Sequence, residues 1–136
     1  MQVSKSLEYA VRSLVCLASS RRPMDLRTIA EKEKIPQAYL AKIMRTLVQG
    51  GIVSSNLGRT GGYRLARPAG RIRLLDIYVL TDGGNNLLPC ISDGSSCVAS
   101  RFCSQRPVWE KVEHAINEAF RKVTLREMLP KAGNGG

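Results

Sequence analysis

The sequence offers little but aliphatic side chains to build a core: Phe, Trp and Tyr together make up 5% of its 136 residues. It has one histidine, His114. With a single histidine, no glycine-rich phosphate loop and no nucleophile–base pair, an enzyme is not the expected class. No apolar run approaches the ~18–20 residues that a bilayer span requires. The opening stretch, MQVSKSLEYAVRSL, breaks its apolar pattern with Glu8 and Arg12 and lacks a signal-peptide cleavage pattern. The expected compartment is therefore the cytoplasm, with no membrane association. Acidic residues are also few, 11 against 21 Lys and Arg, for a net charge of +10. Residues 1–73 hold 14 Lys/Arg and 4 Asp/Glu, whereas residues 74–136 hold 7 of each, so the whole excess lies in the first half. That asymmetry points to a polyanion, and to nucleic acid before acidic membrane, because no basic amphipathic helix stands apart. A basic surface that merely keeps the chain soluble is the plain alternative.

Hydrophobic spacing predicts a mainly α fold with a small β wing. Leu7, Ala10, Val11, Leu14, Leu17 and Ala18 recur at helical spacing and predict a helix over residues 4–20, with Ser4 or Ser6 as its cap. Cys16 falls opposite that apolar face. Residues 26–34 form a short second helix, with Leu26, Ile29 and Ala30 inward. A third follows in IPQAYLAKIMRTLVQGG: Pro36 suits its first position, Leu40, Ile43, Leu47 and Val48 make its buried stripe, and Gly50 or Gly51 stops it. Two short helices joined by a tight turn at 34–35 read as a helix-turn-helix. Residues 52–56 and 63–66 read as strands, joined by the glycine-rich LGRTGG, and a hairpin in this place is a wing. A short strand and a helix over 71–81 close the core. From Arg106 to about Val123, a long helix sets Val108, Trp109, Val112, Ile116, Ala119, Phe120 and Val123 on one face. Glu110, Lys111, Glu113, Asn117 and Arg121 fall on the other. This is the expected dimerisation helix; folding back on its own domain is the alternative. The expected organisation is a winged helix-turn-helix domain at 1–82, a cysteine loop at 83–104, a dimerisation helix and terminal turn at 105–129, and a disordered tail at 130–136.

A recognition helix meets base edges with its N-terminal residues. Here those are Gln37, Ala38 and Tyr39, followed by Lys42 and Arg45. Glutamine can pair with adenine and alanine can touch a thymine methyl, while Lys42 and Arg45 suit phosphates. The wing adds Arg59, Thr60, Gly61 and Gly62, with Arg59 able to enter a narrow minor groove. Thr28 could bond a phosphate or cap the second helix. The expected partner is double-stranded DNA. The stretch LPCISDGSSCVASRFC holds Cys90, Cys97 and Cys103 in a polar setting, spaced C-x6-C-x5-C. In a reducing compartment such a cluster suggests metal or redox chemistry rather than disulfide staples.

Taken together, these stretches resemble the IscR/NsrR/RirA family of bacterial winged-helix regulators, many of which carry iron–sulfur clusters. The resemblance rests on KSLEYAVRSLVCLA, LRTIAEKEKIPQAYLAKIMRTLVQGGIVSS, GGYRLARP, LLDIYVLTDG, the three cysteines and TLREML, spanning nearly residues 4–129. It implies a homodimer on a palindromic operator and a [4Fe-4S] or [2Fe-2S] cluster near the dimer interface. Two departures separate the chain from the IscR branch. Ala41 stands where those members have a Glu after Tyr-Leu, and Arg106 stands where they have a ligating His. The NsrR- and RirA-like branches fit better. In the NsrR-like branch a first-helix carboxylate completes the cluster, and Glu8 matches that place, reaching in from the partner subunit. An ordinary helical ion pair with Arg12 is the plain reading of the same residue.

Clusters are usually held by cysteine thiolates, so a cluster on Cys90, Cys97 and Cys103 is the leading reading. A thiol switch is second. Zinc is third, because closely spaced cysteine pairs are lacking; His114 would complete a three-cysteine–histidine set, or is a polar helix residue. The expected function is a transcription regulator, a repressor in the first instance, whose DNA affinity follows nitric oxide, redox state or iron supply. A protein-interaction module that binds a metabolic enzyme is the competing class.

Overall fold

Ser4 starts the first helix by accepting a hydrogen bond from the Leu7 N–H at 3.0 Å. The same hydroxyl donates to Asp82 at 2.7 Å, tying the beginning of the chain to a helix far along it. The computed structural model describes residues 3–56, 61–83 and 104–130. In it, α1 (Lys5–Ala18) buries Leu7, Ala10, Ser13, Leu14, Cys16 and Leu17. The stripe is wider than the aliphatic spacing predicts. Ser13 lies within it, its hydroxyl donating to the Tyr9 carbonyl at 2.7 Å, so its polar group is satisfied. Cys16 also points inward and not to an outer face, its Sγ 3.7 Å from the Met24 Sδ. Burial, reinforced by the nearby Glu33 carboxylate, pushes the Cys16 thiol pKa up. A protonated, enclosed thiol behaves as a small apolar side chain.

The second helix, α2 (Leu26–Glu33), is capped by Asp25, which accepts from the Thr28 N–H at 2.7 Å. Thr28 is thus the capped residue, not the cap. The hydrogen bond to Thr28 holds the Asp25 carboxyl below its usual range. Lys34 ends α2 in the left-handed conformation, with φ at 55°, and Ile35 is carried inward beyond it. The third helix, α3 (Gln37–Gln49), begins one residue later than expected. Pro36 stands at the N-cap and not inside the helix, so it offers no side-chain cap. Leu40, Ile43, Met44 and Leu47 are buried; Met44 takes the inner place that spacing gave to the half-buried Val48.

The wing is β1 (Val53–Asn56) antiparallel to β2 (Gly62–Leu65), with Val53 opposite Leu65 and Asn56 opposite Gly62. Met24 joins this ribbon as an isolated bridge. Its N–H donates to the Tyr63 carbonyl at 3.0 Å, and the Tyr63 N–H donates back at 2.7 Å. The wing is thereby fastened to the residues that lead into α2. Gly62 makes the close approach possible: its φ is +154°, and a Cβ there would lie 2.7 Å from the Met24 carbonyl carbon and oxygen.

Beyond a 3-10 turn at Ala69–Arg71 come α4 (Leu74–Asp82), α5 (Arg106–Lys122) and a final 3-10 turn at Leu125–Met128. The Ile72 carbonyl accepts from the Leu125 N–H at 2.8 Å, and Leu125 is fully buried. Tyr78 of α4 meets Phe120 of α5 edge-to-face, ring centres 5.1 Å apart. The end of α5 therefore packs into the same core as the winged half. The other end of α5 behaves differently. Val108, Trp109 and Val112 are 61%, 44% and 40% exposed, whereas Glu113, expected on the polar face, is buried. Glu113 lies three and seven residues before Ile116 and Phe120, and so shares their inward stripe.

The fit at Gly62 gives a direct test. Gly62→Ala should destabilise the chain by roughly 1–3 kcal/mol, because the new methyl meets backbone at a conformation that side chains disfavour. Urea denaturation followed by circular dichroism would measure it. An unchanged midpoint would show that the Met24–Tyr63 bridge yields easily.

Candidate nucleic-acid interface

A buried stripe on one side of α3 leaves the other side to solvent. Gln37, Ala38, Tyr39, Lys42 and Arg45 are all exposed, and Ala38, Lys42 and Arg45 follow one another at i, i+4 and i+7 along one ridge. Thr46 lies beside them, but its hydroxyl donates to the Lys42 carbonyl at 3.1 Å. Tyr39 is the exception in this set. Its hydroxyl shares a 2.8 Å hydrogen bond with Ser6, and its ring stands edge-on to Tyr9 at 5.5 Å. That side chain is tied to α1.

A second concave surface adjoins the wing. Arg22, Asp25, Thr28, Asn56, Gly61 and Arg64 line a cleft of about 630 Å³ between the start of α2 and the base of the hairpin. Thr28 is exposed there, and Gly61 and Gly62 are half-buried. Arg59 and Thr60 lie outside the described residues, as do Cys90, Cys97 and Cys103. Arg22 and Asn56 were not anticipated. The Arg21–Arg22 doublet just before the Asp25 cap was the available signal; Asn56 enters only through strand register, which no local pattern reveals.

Some cations of the molecule are paired with carboxylates, and others, on this face among them, are not. Lys5, Arg12, Arg27, Arg67 and Arg73 each have a carboxylate within 4.0 Å. Among the described residues, Lys42, Arg45, Arg22 and Arg64 have no such pair, so their charge is available to an outside anion. Asp76 illustrates the paired class: although burial alone would raise its pKa, hydrogen bonds from Arg73 bring it below the usual range. Glu8 belongs to that class as well, 3.6 Å from both Lys5 and Arg12. It is half-exposed and borders an apolar groove formed with Val3, Leu7, Val11, Phe120 and Met128. His114 is exposed on α5. Among the described residues, no group of three His, Cys, Asp or Glu side chains is placed to hold a metal ion.

The Rrf2 family, described as an iron-dependent transcriptional regulator, matches residues 3–131. The chain belongs to the Rrf2 family. It is 27% identical over 134 residues to Protein rrf2 of Nitratidesulfovibrio vulgaris, covering 97% of this chain and 89% of that one. Among solved structures, the IscR of T. potens superposes with a TM-score of 0.74 at 31% identity, over 94% of this chain and 85% of that one. The oxidised form of Staphylococcus aureus CymR does so at 0.74 and 25%, over 98% and 100%. As an Rrf2-family member this chain is a DNA-binding transcriptional regulator and not an enzyme. The winged-helix build expected from the sequence is the one observed. No helix among the described residues is long and apolar enough to cross a membrane.

The unneutralised cations set the expected salt response. Removing one cation that meets a phosphate should flatten the slope of log affinity against log salt by about one. Lys42→Ala and Arg45→Ala should each do so on any duplex sequence, while Lys5→Ala, which removes a paired cation, should leave the slope unchanged. Fluorescence anisotropy across a salt series measures all three. Equal slopes for the wild type and the α3 variants would place the DNA-binding surface elsewhere.

Proposed function

We propose that this Rrf2-family chain is a regulator, a repressor in the first instance, whose operator affinity is set by an iron–sulfur cluster held by Cys90, Cys97, Cys103 and Glu8 of the partner subunit. The DNA side rests on the unpaired cations of α3 and the wing cleft. Gln37, Ala38, Lys42 and Arg45 would enter a major groove. Thr28, Gly61 and Gly62 would face the backbone, and Arg59 and Thr60 of the wing would reach the adjoining groove. The reading of a homodimer on a palindromic operator is supported by the exposed Val108, Trp109 and Val112 of α5, which offer a second copy an apolar face. The cytoplasm is the matching compartment.

The setting of Glu8 supports the cluster reading. Three cysteine thiolates are the soft anionic donors that iron–sulfur clusters take, and four protein ligands is the usual count. A carboxylate can serve as the harder, more exchangeable fourth. With a side chain 43% exposed, Glu8 is accessible, and its two ion pairs are of the solvent-screened kind worth ~0–1 kcal/mol each. Releasing it to iron costs little. When bound, the cluster would supply iron that reacts with nitric oxide or oxygen. The chain contributes the link: α1 carries Glu8 and also packs against α3, so a change in what holds Glu8 acts on the helix bearing the DNA-facing residues.

A thiol switch is the second reading, favoured by the likeness to the oxidised CymR. Anaerobic purification separates the two. The cluster reading predicts brown protein with iron and sulfide, bleached by Cys90→Ala, Cys97→Ala or Cys103→Ala, but not by Cys16→Ala, whose enclosed thiol packs against Met24. Glu8→Ala should leave the colour but speed its loss to nitric oxide. Colourless wild-type protein that loses two thiols on oxidation would contradict the cluster and support the switch.

A further inference from the structure

We infer that Tyr39 is a positioning residue of the DNA-facing helix rather than a reader of bases, and that Ser6 and Tyr9 of α1 are its fixtures. The inference rests on the reading of α3 as the recognition helix. The N-cap of that helix is Pro36, which makes no side-chain capping hydrogen bond, so the end read as meeting DNA lacks the usual local anchor. Leu40 is fully buried and sets the depth of this end. Ile43, Met44 and Leu47 hold the later turns, and in this first turn Leu40 is the one buried side chain. Tyr39 precedes Leu40 by one residue, about 100° around the helix, and is held at two points: the 2.8 Å hydroxyl pair with Ser6 and the edge-on ring of Tyr9 at 5.5 Å, the planes 87° apart. Two contacts at different angles fix rotation as well as depth. Bidentate base recognition by Gln37 depends on that rotation, whereas a phosphate contact by Lys42 tolerates a small roll.

Tyr9 is itself clamped. The Arg12 guanidinium lies 5.5 Å and the Lys5 ammonium 5.9 Å from its ring centre, and both cations pair with Glu8. The ring that steadies Tyr39 is thus steadied by the charges of α1.

The probe is the duplex that the wild-type chain enriches from a randomised library, compared with a random-sequence duplex of equal length. Tyr39→Phe and Ser6→Ala should each weaken binding to the enriched duplex about three- to tenfold, the worth of one hydrogen bond. The double variant should be no weaker than either single one, because the two hydroxyls serve each other. Affinity for the random duplex and its salt slope should not change. Tyr9→Phe should bind as the wild type does and Tyr9→Leu should lose selectivity; if Tyr9→Leu fails to fold, the hydroxyl pair still decides. Weaker binding by Tyr39→Phe with a silent Ser6→Ala would mean that the Tyr39 hydroxyl meets DNA and would overturn the inference. So would effects that multiply in the double variant, or a silent Tyr39→Phe. Failure to enrich any duplex would instead remove the reading of α3 on which the inference stands.

Discussion

The burial of α1 is the constraint on which the other elements depend. Ala10 and Leu14 are fully enclosed, and α1 packs against α2, α3, α4, β2 and the final 3-10 turn. With so few aromatics, the chain fills its interior with small and branched side chains gathered around this one helix. Ser4 fixes its start to Asp82, and Ser13 lets the packed stripe extend across a polar position at no cost in unsatisfied groups. An element that touches nearly all others transmits displacement efficiently, because close-packed interiors deform little.

The electrostatic layout follows from the same arrangement. Cations on α1 and around α4 are neutralised locally by Glu8, Glu33 and Asp76. The cations facing outward from α3 and the wing cleft are left for an external polyanion. Glu8 stands at the junction: Arg12 links it both to Glu33 of α2 and to the face of Tyr9, and Tyr9 adjoins Tyr39. A short chain of side chains thereby joins a carboxylate that is a candidate metal ligand to α3, the candidate recognition helix.

Much of this was legible in the sequence. The spacing of Leu7, Ala10 and Leu14, the Pro36 and Gly50 punctuation and the GGYRL strand each carry a local signal with a physical cause, and the elements formed where those signals lie. What spacing missed depended on partners distant in the chain. Cys16 looked outward because its own helix supplied no reason to bury it; Met24 does. Glu113 looked polar by type, yet shares the stripe of Ile116 and Phe120. The Met24–Tyr63 bridge and the Ser6–Tyr39 pair join segments 39 and 33 residues apart, and no periodic pattern encodes them. Arg59, Thr60 and the three loop cysteines lie outside the described residues, so their roles rest on chemistry and family resemblance.

The central claim is that α3 and the base of the wing form the DNA surface while α5 serves the chain itself. Amide hydrogen exchange of the protein, with and without its enriched duplex, tests this most directly. The account predicts new protection at residues 37–46 and 61–64 on adding duplex, with residues 108–112 of α5 unchanged. Protection that appears on α5 and leaves α3 unaltered would contradict it.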